Sequence, residues 1–203
     1  MKLYYRPGVC SLASHIALRE AGQPFTLDKI DRATGKTEGG VDFATINPKF
    51  SVPALEIAPG EVLTEGTAIM QYVADAVGGA GVVPKAGTLA RARMQEAMNF
   101  IAAELHKSYS PLFKPGLSDE QKAAGFALID TKLAWIEARL ADGRDWLVQE
   151  GYSLADSYLF VITRWSKGIG HDLSRFPLLQ ALRARVALRP AVQAALNAEG
   201  LAE

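Results

Sequence analysis

The hydrophobic periodicity of this chain changes once, at a glycine-rich stretch near residue 80, and that change constrains the fold more than any single motif. Before it, strand-like apolar runs alternate with segments of helical period. Residues 2 to 6 read as a strand, 11 to 21 as a helix and 25 to 30 as a strand, with Gly22 and Pro24 in the turn between the last two. That is a compact βαβ opening. Phe43 to Ile46 predicts a short helix closed by Asn47-Pro-Lys49. Residues 52 to 57 and 62 to 64 predict a hairpin turned by Pro59-Gly60. Residues 65 to 77 return to helical period, with Ile69, Tyr72, Val73 and Ala76 on the apolar side. The expected order is β-α-β-α-β-β-α.

Gly78-Gly79-Ala80-Gly81 and Pro84 to Gly87 read as the connector. From Leu89 onward, helices are expected over about 89–108, 119–140, 154–166, 175–186 and 190–198, with Pro177 and Pro190 in first turns. The fold class is therefore α/β plus all-α, with a first domain over residues 1–80 and a helical domain over 88–203.

With 203 residues and 49% hydrophobic composition, the chain can bury a substantial core. Twenty-two basic residues balance twenty-two acidic ones, so no global charge draws nucleic acid or an anionic membrane as partner. The split at the boundary is slight: seven basic and nine acidic residues through residue 80, fifteen and thirteen afterwards. The opening Met1-Lys-Leu-Tyr-Tyr lacks the pattern of a secretory signal, and no segment is apolar for long enough to span a bilayer. One cysteine cannot close an intrachain disulfide, which fits a cytoplasmic protein. His15, His106 and His171 have no metal-ligand spacing, so no metal is expected.

Cys10, the only cysteine, lies between the first strand and the first turn of a helix. Amide donors there favour a thiolate, although a free cysteine is also often a small buried hydrophobe. Without Cys-x-x-Cys, any disulfide exchange needs a second thiol from another molecule. A cis Val52-Pro53 peptide would leave the Val52 backbone open for pairing with an extended ligand; the plain alternative is a strand-start turn. Glu65-Gly66-Thr67 opens a helix, where amides bind a carboxylate and Glu65 can accept from an ammonium; a helix cap made by Thr64 or Glu65 explains the same residues.

Asn99 and His106, seven residues apart, fall on nearly the same helical face and, with Lys107, could border a cleft, or His106 could satisfy a structural hydrogen bond. Ser153-Leu-Ala-Asp156 has the form of a capping box, a structural device. Trp165 and Tyr158 pack that helix on its core, or place an aromatic at a cleft edge.

Several segments together resemble the bacterial beta-class glutathione S-transferases over essentially the whole chain. They are Gly8-Val-Cys-Ser-Leu-Ala-Ser-His15, Asn47-Pro-Lys-Phe-Ser-Val-Pro-Ala-Leu55, Leu63-Thr-Glu-Gly66 followed by Ala68-Ile-Met-Gln-Tyr72, and Glu104-Leu-His-Lys107. The resemblance implies a thioredoxin-like N-terminal domain, a helical C-terminal domain that completes an electrophile site, a homodimer, and reduced glutathione as co-substrate with no permanently bound cofactor. It places Cys10 near the glutathione sulfur, Val52 and cis Pro53 on the middle of the tripeptide, and Glu65 and Gly66 at the γ-glutamyl end. Asn99, Glu104, His106 and Lys107 would line the helical-domain wall, with some contacts crossing the dimer, and Trp165 would border the electrophile. The family serine in the Gly66 place is absent. The family lysine for the glycyl carboxylate corresponds to Gly35, with Lys36 one place later.

These matches imply conjugation of glutathione to small apolar electrophiles, with Cys10 suited to glutathione-dependent disulfide reduction and His106 to donating a hydrogen bond. A glutathione-dependent lyase or isomerase, and a non-catalytic module for apolar ligands, are the alternatives.

Overall fold

The structure, a computed structural model, describes residues 1–201. It comprises two compact units: Met1–Val83 together with the chain from Arg189 onward, and Pro84–Leu188. In the first unit β1 (Lys2–Tyr5), α1 (Ser11–Glu20), β2 (Thr26–Lys29), α2 (Phe43–Ile46), β3 (Ala54–Ala58), β4 (Glu61–Thr64) and α3 (Gly66–Asp75) follow one another as the periodicity predicts. The sheet order is β2-β1-β3-β4, with β1 parallel to β2 and antiparallel to β3, and β3 antiparallel to β4. A helical crossover makes the first pairing parallel, and the tight Pro59-Gly60 turn makes the last one antiparallel. This is the mixed sheet of a thioredoxin-like domain.

Alternation along β1 divides the apolar residues between the two faces of the sheet. Leu3 and Tyr5 pack with Leu18, Leu55, Ile69 and Val73, while Tyr4 joins Ile30, Phe43, Val52 and Ala54. On α3 the buried stripe is Ile69, Met70, Val73 and Ala74. Tyr72 and Ala76, expected on that side, are exposed instead. The core-facing stripe is thus rotated towards Met70 and Ala74, which periodicity alone did not single out.

The last helix, α9 (Pro190–Ala198), departs from the expected domain plan. It packs on α1 and belongs to the first unit rather than to a helical domain running from 88 to 203. The reason lies in α1, whose residues from Ser11 to Leu18 are all buried. A helix covered all round needs partners on more than one side, and the sheet and α3 supply only some of them.

The second unit holds α4 (Leu89–Phe100), α5 (His106–Tyr109), α6 (Asp119–Leu140), α7 (Leu154–Ile169) and α8 (Pro177–Ala187). Thr88 caps α4 by accepting from the Arg91 amide, and Ser118 with Gln121 forms a reciprocal capping box on α6. The predicted continuous helix over 89–108 is broken in its helical register. Residues Ile101–Leu105 are π-helical, with the His106 amide donating to the Ile101 carbonyl, and they separate α4 from α5. Among the described residues no helix is long and apolar enough to cross a membrane.

Candidate active site

The first-unit candidates meet where β1 hands over to α1. Cys10 stands at the N-terminus of α1, and its thiol donates to the Val52 carbonyl at 3.3 Å. The Val52-Pro53 peptide is cis, as the ligand-pairing reading requires. Beyond Pro53 lies the start of α3: a Cβ built on Gly66 would sit 3.6 Å from Pro53 Cγ and 3.8 Å from Ser14 Oγ. That Ser14 hydroxyl is buried and has no hydrogen-bond partner among the described residues. Glu65 enters α3 at φ +70°, and no side chain caps the helix. The simple cap expected from Thr64 or Glu65 is therefore not what forms. The Glu65 carboxylate instead takes the Lys49 ammonium in an exposed ion pair.

The electrostatics at Cys10 correct the expectation of a low-pKa thiol. Burial pushes the Cys10 thiol up to about 11, outweighing Arg6 and the Cys10 and Ser11 amides, which all favour the thiolate; Glu65 adds to the rise. The helix-start donors are present, and desolvation wins over them. With no ligand bound, Cys10 is a neutral hydrogen-bond donor. Arg6, not singled out in the sequence, is the main charge favouring the thiolate, and its Nε is buried without a hydrogen-bond partner among the described residues.

Lys36 is exposed and its backbone bridges to Asp42. The neighbouring Gly35 has φ +70°, and a Cβ there would meet Phe50 Cζ at 2.7 Å. No lysine fits at 35 while that ring stays in place.

The second-unit candidates lie along one stretch of chain. Asn99 and Lys107 are exposed on either side of the π-helical turn. Because i→i+5 bonding inserts the equivalent of an extra residue, the seven-residue spacing of Asn99 and His106 no longer equals two α turns, and the shared face predicted for them does not follow. Glu104 pairs with Lys132 on α6 at 2.6 Å, which holds its carboxyl below the usual range. His106 Nδ1 lies 3.1 Å from the Tyr158 hydroxyl, and its ring is edge-on to Trp165 at 4.9 Å. Burial first, then Lys107, lowers the His106 pKa, so the imidazole is neutral at pH 7. Tyr109 and Phe113 also pack edge-on against Trp165, at 5.9 and 5.6 Å. His106, Phe113 and Trp165 thus form one aromatic wall, with fully buried Tyr109 packed against Trp165. Tyr109 and Phe113 were missed, although spacings of three and seven residues after His106 are the signal that would have found them.

Asp156 is fully buried and accepts from the Leu147 amide at 2.8 Å, the Ser153 amide at 2.8 Å and the Ser153 hydroxyl at 3.0 Å. This is the structural role expected of Ser153 and Asp156, extended to a loop the motif does not contain.

Comparison with known proteins places this geometry in a family. Residues 9–76 match the glutathione S-transferase N-terminal domain and residues 100–190 the C-terminal domain of the same family. Glutathione S-transferase GstA of Escherichia coli O157:H7 is 43% identical over 201 residues, covering 99% of this chain and all of that protein. A bacterial beta-class glutathione S-transferase from Sphingomonas chungbukensis superposes with a TM-score of 0.92 at 46% identity, over 99% of this chain and all of that one. The chain belongs to the bacterial beta-class glutathione S-transferase family. A sphingomonad glutathione S-transferase complexed with glutathione is also similar, with a TM-score of 0.93, 47% identity and full coverage of both chains. As a glutathione S-transferase, this protein is an enzyme, and its candidate residues divide between the two family domains. The first carries Cys10, Lys36, Val52, Pro53, Glu65 and Gly66; the second carries Glu104, His106, Lys107 and Trp165, with Asn99 one residue before its matched segment.

Proposed function

We propose that this enzyme binds reduced glutathione on its first unit and conjugates it to small apolar electrophiles received by the aromatic wall of the second. The observation that supports this most is the corner at cis Val52-Pro53, where the Cys10 thiol lies 3.3 Å from the Val52 carbonyl beside the uncapped start of α3. Val52 offers backbone to the cysteinyl part of glutathione. The α3 amides suit the γ-glutamyl carboxylate, and Glu65 accepts from its ammonium, displacing Lys49.

In conjugation the glutathione thiolate attacks the electrophilic carbon, the new C–S bond forms as the bond to the leaving group breaks, and the leaving group departs with the electron pair. The thiol proton goes to solvent. Cys10, a neutral donor, and the amides around it stabilise the sulfur anion. In the second unit, His106, Lys107, Asn99 and Glu104 are the polar residues assigned to this reaction.

Cys10 also permits a second activity. Its thiolate attacks a mixed disulfide of glutathione, releasing the substrate thiol and leaving glutathione on Cys10. A second glutathione thiolate then releases Cys10 and yields oxidised glutathione, so electrons balance. The high thiol pKa makes this step slow at neutral pH. A Cys10→Ala variant is expected to keep most conjugation and lose glutathione-dependent disulfide reduction. Undiminished disulfide reduction in that variant would remove the exchange role; loss of both activities together with loss of glutathione binding would make Cys10 primarily a binding residue.

The active form is a cytoplasmic homodimer on this reading, with exposed Tyr72 on α3 as a candidate for burial between copies. Light scattering at twice the 21.8 kDa chain mass is the expected result.

A further inference from the structure

Phe50 combines three features that have no place in the packing of an ordinary loop. It is a bulky residue at φ +51°, it is 51% exposed, and its ring occupies the space where a Cβ at Gly35 would stand, 2.7 Å from Cζ. Left to local preference, such a position takes glycine.

The surrounding loop enforces the conformation. Asn47, itself buried, donates from its side-chain amide to the Ser51 carbonyl at 2.7 Å and accepts from the Lys49 amide at 3.2 Å. The Phe50 amide donates to the Asn47 carbonyl at 2.8 Å. Hydrogen bonds thus fix both sides of Phe50, and Phe43 supports its ring at 6.0 Å between centroids. A strained backbone held this firmly persists where its surroundings over-determine it, and such positions cluster at ligand clamps and active sites. Phe50 also lies two residues before the cis Val52-Pro53 corner.

We infer that Phe50 determines thiol specificity: its ring is an apolar platform for the glycyl end of the tripeptide, so the enzyme accepts glutathione derivatives whose glycyl carboxylate is masked. This inference rests on the glutathione reading above. If the middle of the tripeptide pairs with Val52 and its γ-glutamyl end turns to Gly66 beside Pro53, the other end runs back along Ser51 toward Phe50. What it meets there is an aromatic face over Gly35, with no side chain at 35 to supply a cation. Lys36 is the nearest alternative in sequence, an exposed cation that would favour the free carboxylate.

The two possibilities predict opposite specificities. Steady-state conjugation of an aryl halide is measured with glutathione and with its glycyl monoethyl ester, on the full-length protein and on Phe50→Gly and Lys36→Met. The native enzyme is expected to use the ester with kcat/KM within about threefold of glutathione. Phe50→Gly, which suits the positive φ and should fold, is expected to raise KM for the ester at least tenfold with kcat little changed, and to affect glutathione less. A native preference above about thirtyfold for the free carboxylate, abolished in Lys36→Met, would overturn the inference in favour of Lys36. Equal responses of both thiols to Phe50→Gly would overturn it too. Absence of turnover with either thiol in the native enzyme would instead remove the underlying glutathione reading.

Discussion

Cys10 illustrates how opposing effects at one atom are decided by magnitude. Amides at a helix start and Arg6 favour the thiolate, yet burial dominates and the thiol titrates near 11. Thiolate is then scarce at pH 7 and rises about tenfold per pH unit well into the alkaline range. Iodoacetamide labelling of the ligand-free enzyme should therefore accelerate continuously from pH 7 to 10. A plateau near pH 8 would show that burial does not control the sulfur. His106 moves the other way: burial and Lys107 lower its pKa, so it gains its proton only as pH falls below the ordinary histidine range. His106→Gln should lower turnover without changing the shape of the pH–rate profile between 7 and 9. A changed profile in that window would mean that His106 titrates there.

At the scale of elements, the start of α7 is where local sequence and tertiary environment act together. Ser153 and Asp156 announce a cap, but the buried carboxylate also fixes the Leu147 amide. Removing Asp156 orphans buried donors on two segments. Asp156→Ala is thus expected to cost about 2–4 kcal/mol in urea unfolding, more than Ser153→Ala at about 1 kcal/mol. Equal losses would reduce Asp156 to an ordinary cap. Burial raises the Asp156 pKa to about 6, above its unfolded value, so the folded state binds the extra proton between about pH 4 and 6. This group therefore makes stability fall as pH rises through that window, and Asp156→Asn should flatten that part of the curve. The π-helical turn at Ile101–Leu105 has no such local signal. Its sequence, Ile-Ala-Ala-Glu-Leu, is ordinary helix former throughout, and only the packing of the surrounding helices selects the i→i+5 bonding.

Across the whole molecule, the end of the chain returns to the loop that presents Cys10. Glu199 accepts from the Gly8 amide at 3.0 Å and pairs with His15 Nδ1 at 2.9 Å, both side chains being fully buried; His15 Nε2 accepts from Arg19 at 2.9 Å. Because Arg19 donates to Nε2, Nδ1 is the ring nitrogen that donates to Glu199. Arg189 reinforces the closure with a two-pronged contact to Glu20, at 2.6 and 2.9 Å. Glu199→Ala would remove the carboxylate that the Gly8 amide and buried His15 Nδ1 both meet and is expected to destabilise the protein by about 3–5 kcal/mol. An unchanged unfolding midpoint would show that the C-terminal segment is dispensable to the first unit.

The sequence by itself determined the element order of the first unit, the break near residue 80 and the capping box of Ser153 and Asp156. Those properties are local: period, turn chemistry and short-range hydrogen bonding act between residues close in the chain. Only the tertiary structure decided that α9 serves the first unit, that Asn99 and His106 lose their shared register, that Cys10 is a neutral thiol and that Phe50 fills the place of a side chain at 35. Each depends on which distant surface excludes water from a group or occupies the space beside it. Helical period reports an apolar face without naming its partner, and a helix-start cysteine carries its amide donors without its desolvation.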